Sequence, residues 1–582
     1  MKLLQLSIRR FRGIKEFDWT IPEKTVCLVG PGDSAKSTIL TAIEYALLPH
    51  SNLRLTDADF YGCDPTEGLR IDVTIGGVPD ELLTEGKFGH SIRGVDRSGA
   101  LHDEPGDGDS EVLTLRLSAD SSLEPRWAIV NDRNGDGVPI GHYDRAKLGM
   151  VRLGQEIDRD LSWTRFSALT KFTEEGMSGV SQHLSEAHRK ARDAVRNADL
   201  GGLNETAKKL ERAAQAIGVS ARSGFQALLE PSVAQLGVGA LSLHDGDVPL
   251  RSAGLGTRRL VALALQAKSV REGAIVLVDE IEMGLDPHRL RHLIRALGGT
   301  AAPVRDQPAL GEALGNCFFT THSPIPLREL GTKGLAIVRS RNGKVEPQAV
   351  PDDLDRMMRT QPEAVLARRV LVCEGATEVG FCRALDAHWV TQEGSTPMTV
   401  AGTVTVNGAG GSHAEQFALR FSSLGFDTGL LGDSDVEGQP DVEGLRGAGV
   451  RTFVWEGDSA LEERIALDLP AEALQAFLGL AVDEHGAVPI AGSIGAELKR
   501  KVAPDQLEQW ISSGLPDTSK TVRRAIGRAA KGKQQRDRDR GWFKQGDSAY
   551  SLGTLVATRL HEIPGSPLAR LITELMPWIS DG

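Results

Sequence analysis

The chain has 582 residues, and at roughly 100–200 residues per domain this length predicts three to five domains rather than one compact core. Hydrophobic residues make up 40% and charged residues 25%, which excludes a wholly disordered or collagen-like chain, and the sequence contains no apolar run of membrane-spanning length. The net charge of −12 excludes a general nucleic-acid coat, and five scattered cysteines argue against a disulfide framework and indicate a cytoplasmic protein.

The first predicted elements surround a glycine-rich loop. Strands are predicted at residues 2–9 and 25–29, and a helix from Lys36 to about Leu48. The loop between them has the residues of a phosphate-binding loop, namely Gly30, Gly32, Asp33, Ser34, Lys36, Ser37 and Thr38. In such a loop the backbone N–H groups bind phosphates, the lysine reaches the β- and γ-phosphates, and the hydroxyl holds Mg²⁺. Ala35 stands where the pattern has glycine, and a simple glycine-rich turn is the alternative.

The middle of the chain changes its periodicity twice. Residues 70–160 indicate β-hairpins, whereas apolar residues spaced by three and four over 176–217 predict a helical hairpin divided at Gly201-Gly202. Strand signals return at 274–278, 316–319 and 335–338. The polar, proline-containing stretch 342–363 is interpreted as a linker, and a new α/β unit begins at Arg369.

Residues typical of an ATPase follow the loop. An apolar strand ends in Asp279, which can bind Mg²⁺, and Glu280, which can position the attacking water. Serine and glycine at a helix start form another candidate phosphate contact, and a loop aspartate and a histidine after a strand complete the set: Ser252, Gly254, Asp286 and His322. This order of motifs, with the opening segment Ile8–Ile14, resembles the ABC-type ATPase heads of the SMC and RecF kind. The resemblance implies two heads that sandwich ATP, with the helical insertion as a dimerisation arm.

Carboxylates follow two further apolar strands. Glu374 comes directly after 370–373 and Glu378 lies four residues later, whereas Asp433 and Asp435 follow 429–432. Because the carboxyl ends of parallel strands meet at one crevice, these side chains are expected to lie together and to need a cation. Hard oxygen ligands select Mg²⁺ or Mn²⁺. A solvated turn is the alternative for either pair taken alone.

The carboxylate motifs resemble those of the TOPRIM domain. An ATPase head, a helical arm and a TOPRIM domain in one chain is the layout of the OLD-family nucleases, and the resemblance is close to the class that works beside a helicase, as in the Gabija defence system. In that class an acidic residue after the third strand and a lysine near the C-terminus take part. The resemblance therefore implies roles for Glu462, in the segment 455–463, and for Lys544.

The expected fold class is α/β, an ABC-type ATPase head with an inserted helical dimerisation arm followed by a TOPRIM α/β domain with a C-terminal helical extension. The expected boundaries are 1–165 for the N-terminal lobe, 166–235 for the arm, 236–355 for the C-terminal lobe and 365–582 for the TOPRIM domain. A basic stretch within the last of these, residues 520–544, carries a local charge of +8 and is interpreted as a contact for DNA phosphates.

The resulting hypothesis is an ATP-binding DNA endonuclease or nickase with Mg²⁺ or Mn²⁺ at both sites, working in phage defence or DNA processing. The alternative is a non-cutting, ATP-switched component of DNA binding or assembly, of the SMC or RecF type. The expected partners are DNA, further copies of the chain in a homodimer or homotetramer, and a UvrD-like helicase, with no membrane.

Overall fold

The computed structural model of the chain describes residues 1–49, 52–154, 157–162, 167, 169, 180–198, 202–203, 205–207, 241–269, 273–298, 315–434, 440–532 and 541–580. The chain divides into two compact units. The first comprises Met1–Cys27 and Ser37–Thr321, and the second comprises Leu28–Lys36 and His322–Gly582.

Strands predominate in the first half of the chain. In chain order they are β1 (Lys2–Phe11), β2 (Ile14–Thr20), β3 (Thr25–Val29), β4 (Leu69–Gly76), β5 (Arg93–Val95), β6 (Leu101–His102), β7 (Ser110–Ala119), β8 (Arg126–Asn131), β9 (Asn134–Pro139), β10 (Met150–Leu153), β11 (His244–Asp245), β12 (Val248–Pro249), β13 (Ile275–Val278) and β14 (Cys317–Thr320). Within the first unit β2, β1, β4, β7, β8 and β9 pair antiparallel in that order. In β1, Leu6 and Ile8 are buried whereas Ser7 and Arg9 stay partly exposed, as expected for a sheet covered on one face.

Three parallel strands of the first unit lead to the predicted ATPase residues. β10, β13 and β14 pair in parallel in that order. All four residues of β13 are buried, which explains its continuous apolar sequence, and Asp279 follows at its carboxyl end. The helices of this half are α1 (Lys36–Leu47), α2 (His142–Ala146), α3 (Ile157–Asp160), α4 (Val180–Asn197), α5 (Leu255–Ser269) and α6 (Pro287–Leu297).

The second unit opens with a helix and a hairpin where the sequence indicated a linker. α7 (Pro324–Leu330) precedes β15 (Leu335–Arg341) and β16 (Lys344–Ala349), which pair antiparallel, and α8 (Asp355–Thr360) follows. The linker interpretation of 342–363 is therefore wrong. Asn342 and Gly343 have φ angles of 52° and 79°, the left-handed backbone of a two-residue hairpin turn.

A four-stranded parallel sheet forms the core of the rest of the second unit. Its strands are β17 (Arg369–Cys373), β18 (Thr403–Asn407), β19 (Asp427–Leu431) and β20 (Val450–Phe453), and they pair in the order β18–β17–β19–β20. The helices are α9 (Ala376–Val390), α10 (Met398–Ala401), α11 (Gly411–Ser423), α12 (Val442–Gly447), α13 (Leu461–Asp468), α14 (Ala471–His485), α15 (Ala487–Leu498), α16 (Pro504–Ser513), α17 (Lys520–Lys531), α18 (Gly546–Arg559) and α19 (Pro567–Ser580).

Two of these helices, α9 and α18, touch through small residues. A Cβ atom built on Gly553 would lie 2.6 Å from the Cβ of Ala384, and one built on Gly380 would overlap Ala549. Their backbones therefore approach more closely than larger side chains would permit.

The predicted helical hairpin is described in part. α4 accounts for most of its first helix, whereas most of the predicted second helix, up to residue 217, lies outside the described residues. Among the helices of the described ranges, none combines the length and apolarity needed to cross a membrane.

Candidate functional site

The glycine-rich loop closes around the Lys36 side chain. Its Nζ donates to the carbonyl oxygens of Gly30 (3.1 Å) and Pro31 (2.7 Å) and contacts Ser34 Oγ at 3.2 Å. Gly30 has a φ of 145°, and a side chain there would collide with the Val338 carbonyl of β15. The lysine is 5% exposed and held at the mouth of a loop that can receive phosphate groups.

Ala35 adopts a left-handed backbone. Its φ is 71°, a region that residues with a Cβ occupy at a cost of about 1–2 kcal/mol. Asp33, two residues earlier, has a φ of 56°. The glycine that the phosphate-loop pattern has at position 35 would meet this requirement without strain.

In the first unit, hydroxyl groups converge on Asp279. Its Oδ1 accepts from Ser37 Oγ (3.0 Å) and from Thr320 Oγ1 (2.6 Å), and Glu280 N donates to the same threonine oxygen at 2.8 Å. Serine hydroxyl and aspartate carboxylate are ligands suited to the Mg²⁺ of a nucleotide. Glu280 is exposed and has a φ of 45°, so it is a third predicted ATPase residue with left-handed backbone, after Asp33 and Ala35.

A buried arginine, absent from the sequence prediction, supports the loop after β13. Arg259 is 1% exposed, and its guanidinium donates to the carbonyl oxygens of Met283 (2.6 Å), Glu280 (2.8 Å) and Asp279 (3.0 Å). Burial lowers the pKa of this guanidinium. The sequence feature that could have indicated Arg259 is its position on α5, about one turn after the predicted phosphate contact at Ser252 and Gly254.

Most of the remaining predicted ATPase residues are exposed. Ser252 and Gly254 precede α5, and Asp286 stands at the N-cap position of α6 without a side-chain cap bond. His322 belongs to the second unit and is followed by Ser323, whose hydroxyl accepts from Ile325 N at the start of α7. Thr38 is the second residue after Lys36 on α1 and is partly buried.

Carboxylates gather at the carboxyl ends of β17 and β19. Glu374 follows β17, and its Oε2 accepts from Asp433 N at 3.0 Å while its Oε1 accepts from Gly411 N at 3.4 Å. Glu378 lies in the first turn of α9 and accepts from Gly375 N at 2.7 Å. The parallel register of β17 and β19 therefore brings together residues that are about sixty positions apart.

Two further predicted residues complete this cluster. Asp433 Oδ1 accepts from Leu461 N (3.0 Å) at the start of α13, and the next residue, Glu462, is fully buried. Lys544 Nζ lies 3.4 Å from Glu462 Oε1, whose other oxygen, Oε2, is buried and has no hydrogen-bond partner among the described atoms. We call Glu374, Glu378, Asp433, Glu462 and Lys544 the carboxylate cluster.

Burial and mutual repulsion change the acidities within the cluster. Burial, and then the negative charge of Glu462, raises the pKa of Glu378 to about 7. Burial, followed by Glu378 and Glu462, holds the pKa of Asp433 well above its ordinary value. Like charges at this proximity favour a bound cation, and all the acidic donors are hard oxygen ligands. Within the described residues, which exclude Asp435, no three such groups are placed to hold one metal ion as they stand.

Part of the basic segment, residues 520–544, makes contacts within the second unit. Arg523 donates to main-chain carbonyls at the end of α13, among them those of Ala466 and Leu469. Arg524 and Arg528 contact the buried Glu463 at 3.0 and 3.5 Å. These arginines secure α17 against α13, which carries Glu462, and residues 533–540 of the segment lie outside the described ranges.

Comparison with known proteins identifies the first half of the chain. Similar solved structures are an SmcHead bound to the C-winged helix domain of ScpA (14% identity, 61% of this chain, 99% of that chain, TM-score 0.35) and the SMC head domain from Thermotoga maritima (12%, 60%, 100%, 0.29). At these scores they carry no argument. No curated protein matches significantly. A family model described as "AAA domain, putative AbiEii toxin, Type IV TA system" matches residues 26–325.

The match includes the glycine-rich loop, Asp279 and Glu280, so the prediction of an ATP-binding ATPase domain is confirmed. The OLD-family and TOPRIM assignment and DNA cutting stay predictions. Because residues 26–325 are more than half of the 582-residue chain, the chain belongs to this AAA-domain ATPase family.

Proposed function

We propose that the protein is a divalent-metal-dependent DNA nuclease or nickase of the OLD type, controlled by its ATPase domain. The observation that carries this proposal is the carboxylate cluster, where four acidic side chains and a lysine gather at the carboxyl ends of two parallel strands. Its buried carboxyls with raised pKa, and Glu462 Oε2, which has no hydrogen-bond partner within the described ranges, are the features of a site that a cation would stabilise.

The donor set fits Mg²⁺ or Mn²⁺ held by Glu374, Glu378, Asp433, Asp435 and Glu462. When bound, two such ions activate a water molecule and stabilise the leaving oxygen of a phosphodiester. Glu374, with its oxygens held by two backbone N–H groups, is oriented to bind a ligand or to accept a proton. Lys544, released from Glu462, would donate to a phosphate oxygen and offset the charge that develops there.

In the ATPase domain, Lys36 would contact the β- and γ-phosphates, Ser37 and Asp279 would hold Mg²⁺, and Glu280 would position the attacking water. The contact of Ser37 Oγ with Asp279 supports this assignment. Ser252 and Gly254 would face the phosphates of a second copy, with Asp286 and His322 completing the site. We further propose the domain boundaries given above, a homodimer or homotetramer formed through residues 166–235, and a UvrD-like helicase as a cytoplasmic partner.

One observation favours a second candidate, a non-cutting ATP-switched assembly component. In the described part of the chain, no three acidic, histidine or cysteine side chains are placed to hold a metal ion as they stand. Cleavage and metal binding therefore have to be measured separately.

The deciding experiment incubates the purified chain with supercoiled plasmid and Mg²⁺ or Mn²⁺, with and without ATP. We expect cleavage in the wild type and a loss of orders of magnitude in Asp433→Asn, which removes a negative ligand but keeps the shape of the side chain. Asp458→Asn, at an exposed aspartate five residues after β20, is the matched control. Mn²⁺ binding followed by electron paramagnetic resonance should fall in the first variant only. A wild type that binds no Mn²⁺ and cuts no plasmid would establish the non-cutting candidate.

A further inference from the structure

One arginine of the first unit lies between two carboxylates at the predicted metal side of the ATP site. Arg152 stands opposite Leu277 in the parallel pairing of β10 with β13, next to the end of both strands. Its Nη2 donates to Asp279 Oδ2 at 2.8 Å, and its Nη1 donates to Glu44 Oε2 of α1 at 2.5 Å. The same Nη1 contacts Thr41 Oγ1 at 3.2 Å.

This arginine is deeply buried and incompletely bonded. Its side chain is 9% exposed, compared with 17% for Glu44 and 26% for Asp279. Its Nε is buried and has no hydrogen-bond partner among the described atoms. A buried guanidinium that leaves one donor unused is held mainly by its two ion pairs.

Arg152 contacts the second carboxylate oxygen of Asp279. Ser37 and Thr320 donate to Oδ1 and Arg152 donates to Oδ2, so both oxygens of the carboxylate are engaged. A guanidinium on one oxygen opposes the approach of a divalent cation to that carboxylate, because two positive charges a few ångströms apart repel. Glu44 offers the guanidinium a second acceptor that does not belong to the predicted metal site.

We propose that Arg152 is a positioning residue that neutralises Asp279 in the absence of nucleotide and, when Mg²⁺ and ATP bind, releases Asp279 and keeps its pairing with Glu44. It thereby sets the Mg²⁺ concentration that tight nucleotide binding requires. The proposal rests on the assignment of Ser37 and Asp279 to the Mg²⁺ of the nucleotide, and it adds two residues that this assignment does not include, Arg152 and Glu44.

Removing the guanidinium and removing the charge of Glu44 should change the Mg²⁺ requirement in opposite directions. Arg152→Met removes the competing charge from Asp279, so less Mg²⁺ should be needed. Glu44→Gln removes the negative charge of the second acceptor, which leaves the guanidinium paired mainly with Asp279, so more Mg²⁺ should be needed. A purely structural ion pair would behave differently, because losing either partner would disturb the site in the same direction.

The test is a Mg²⁺ titration of the binding of a fluorescent ATP analogue to the full chain, followed by anisotropy. The affinity of each variant in EDTA is its reference, so a general loss of nucleotide binding cancels. We expect the half-saturating Mg²⁺ concentration to fall by about tenfold in Arg152→Met and to rise by about tenfold in Glu44→Gln. Arg97→Met, at an exposed arginine, is the control.

Arg152→Lys keeps the charge but cannot make forked contacts with two carboxylates, so its value should lie between those of the wild type and Arg152→Met. If Arg152→Met does not fold, Arg152→Lys and Glu44→Gln together test the proposal. Values within twofold of the wild type, or shifts of both variants in the same direction, overturn the proposal. A wild type whose nucleotide affinity ignores Mg²⁺ would instead show that the underlying assignment of Ser37 and Asp279 is wrong.

Discussion

Neutralising one residue of the carboxylate cluster should stabilise the metal-free protein. Glu378 is fully buried, and its pKa rises from an ordinary value of 4.5 to about 7. Holding this carboxylate ionised in the folded state at pH 8 therefore costs about 3 kcal/mol. Glu378→Gln removes that cost, and the amide oxygen can still accept the hydrogen bond from Gly375 N.

The sign of the pH dependence follows from the direction of the pKa change. Because the folded state binds the proton more tightly than the unfolded state, this carboxyl lowers stability as the pH rises from 4.5 through 7. The advantage of Glu378→Gln over the wild type should be about 3 kcal/mol at pH 8 and under about 1 kcal/mol at pH 5.

The assay is urea unfolding in EDTA at both pH values, followed by tryptophan fluorescence. Five of the eight tryptophans lie in residues 389–578, so the signal reports mainly on the part of the chain that holds the cluster. Glu508→Gln, at an exposed glutamate of α16, is the control and should change stability little at either pH. If Glu378→Gln is no more stable than the wild type at pH 8, or gains equally at pH 5, the charge-repulsion argument is wrong.

Four other predictions can be tested with simple variants. Lys36→Ala should abolish tight ATP binding, whereas Glu280→Gln should retain binding and slow hydrolysis; unchanged turnover in both would mean that the site is misassigned. Ala35→Val should destabilise the phosphate loop and lower ATP affinity, since a β-branched residue tolerates a φ of 71° worse than alanine, and Ala35→Gly should preserve binding in the same titration. Arg259→Lys should lower the free energy of unfolding by about 2 kcal/mol in urea titrations, because an ammonium cannot reach three carbonyls in one plane. Deleting residues 176–220 should reduce the number of chains per particle measured by light scattering, and a monomeric intact chain whose oligomeric state the deletion leaves unchanged would contradict the role of the arm in assembly.

Much of the ATPase half could be predicted because its signals are local. A phosphate loop, a buried strand and the acidic pair after it are each contiguous in sequence, and β3, α1 and β13 lie within a few residues of their predicted bounds. The juxtaposition of Glu374 with Asp433 could also be anticipated, since two apolar strands that end in carboxylates fit a parallel sheet.

Other features depend on tertiary structure and had no separate local pattern. Arg152 and Arg259 look like ordinary polar residues until the strands and helices around them bury their guanidinium groups. Arg524 and Arg528 were interpreted as contacts for DNA phosphates, but both contact the buried Glu463 in the first turn of α13. The hairpin of β15 and β16 could have been predicted from the pair Asn342-Gly343, which favours a two-residue hairpin turn. The polar composition of the surrounding stretch led instead to the linker interpretation.

The contact between α9 and α18 constrains which sequences can preserve the cluster. α9 carries Glu378 in its first turn, and α18 begins two residues after Lys544. Gly380 and Gly553 have no side chains, so the backbone of each helix can contact an alanine side chain of the other. Any larger residue at either position would push the two helices apart. In a library of random substitutions, neighbouring core positions should accept several apolar residues, whereas these two glycines should accept almost none. The spacing of Glu378 and Lys544 therefore depends on two positions at which the sequence must keep glycine.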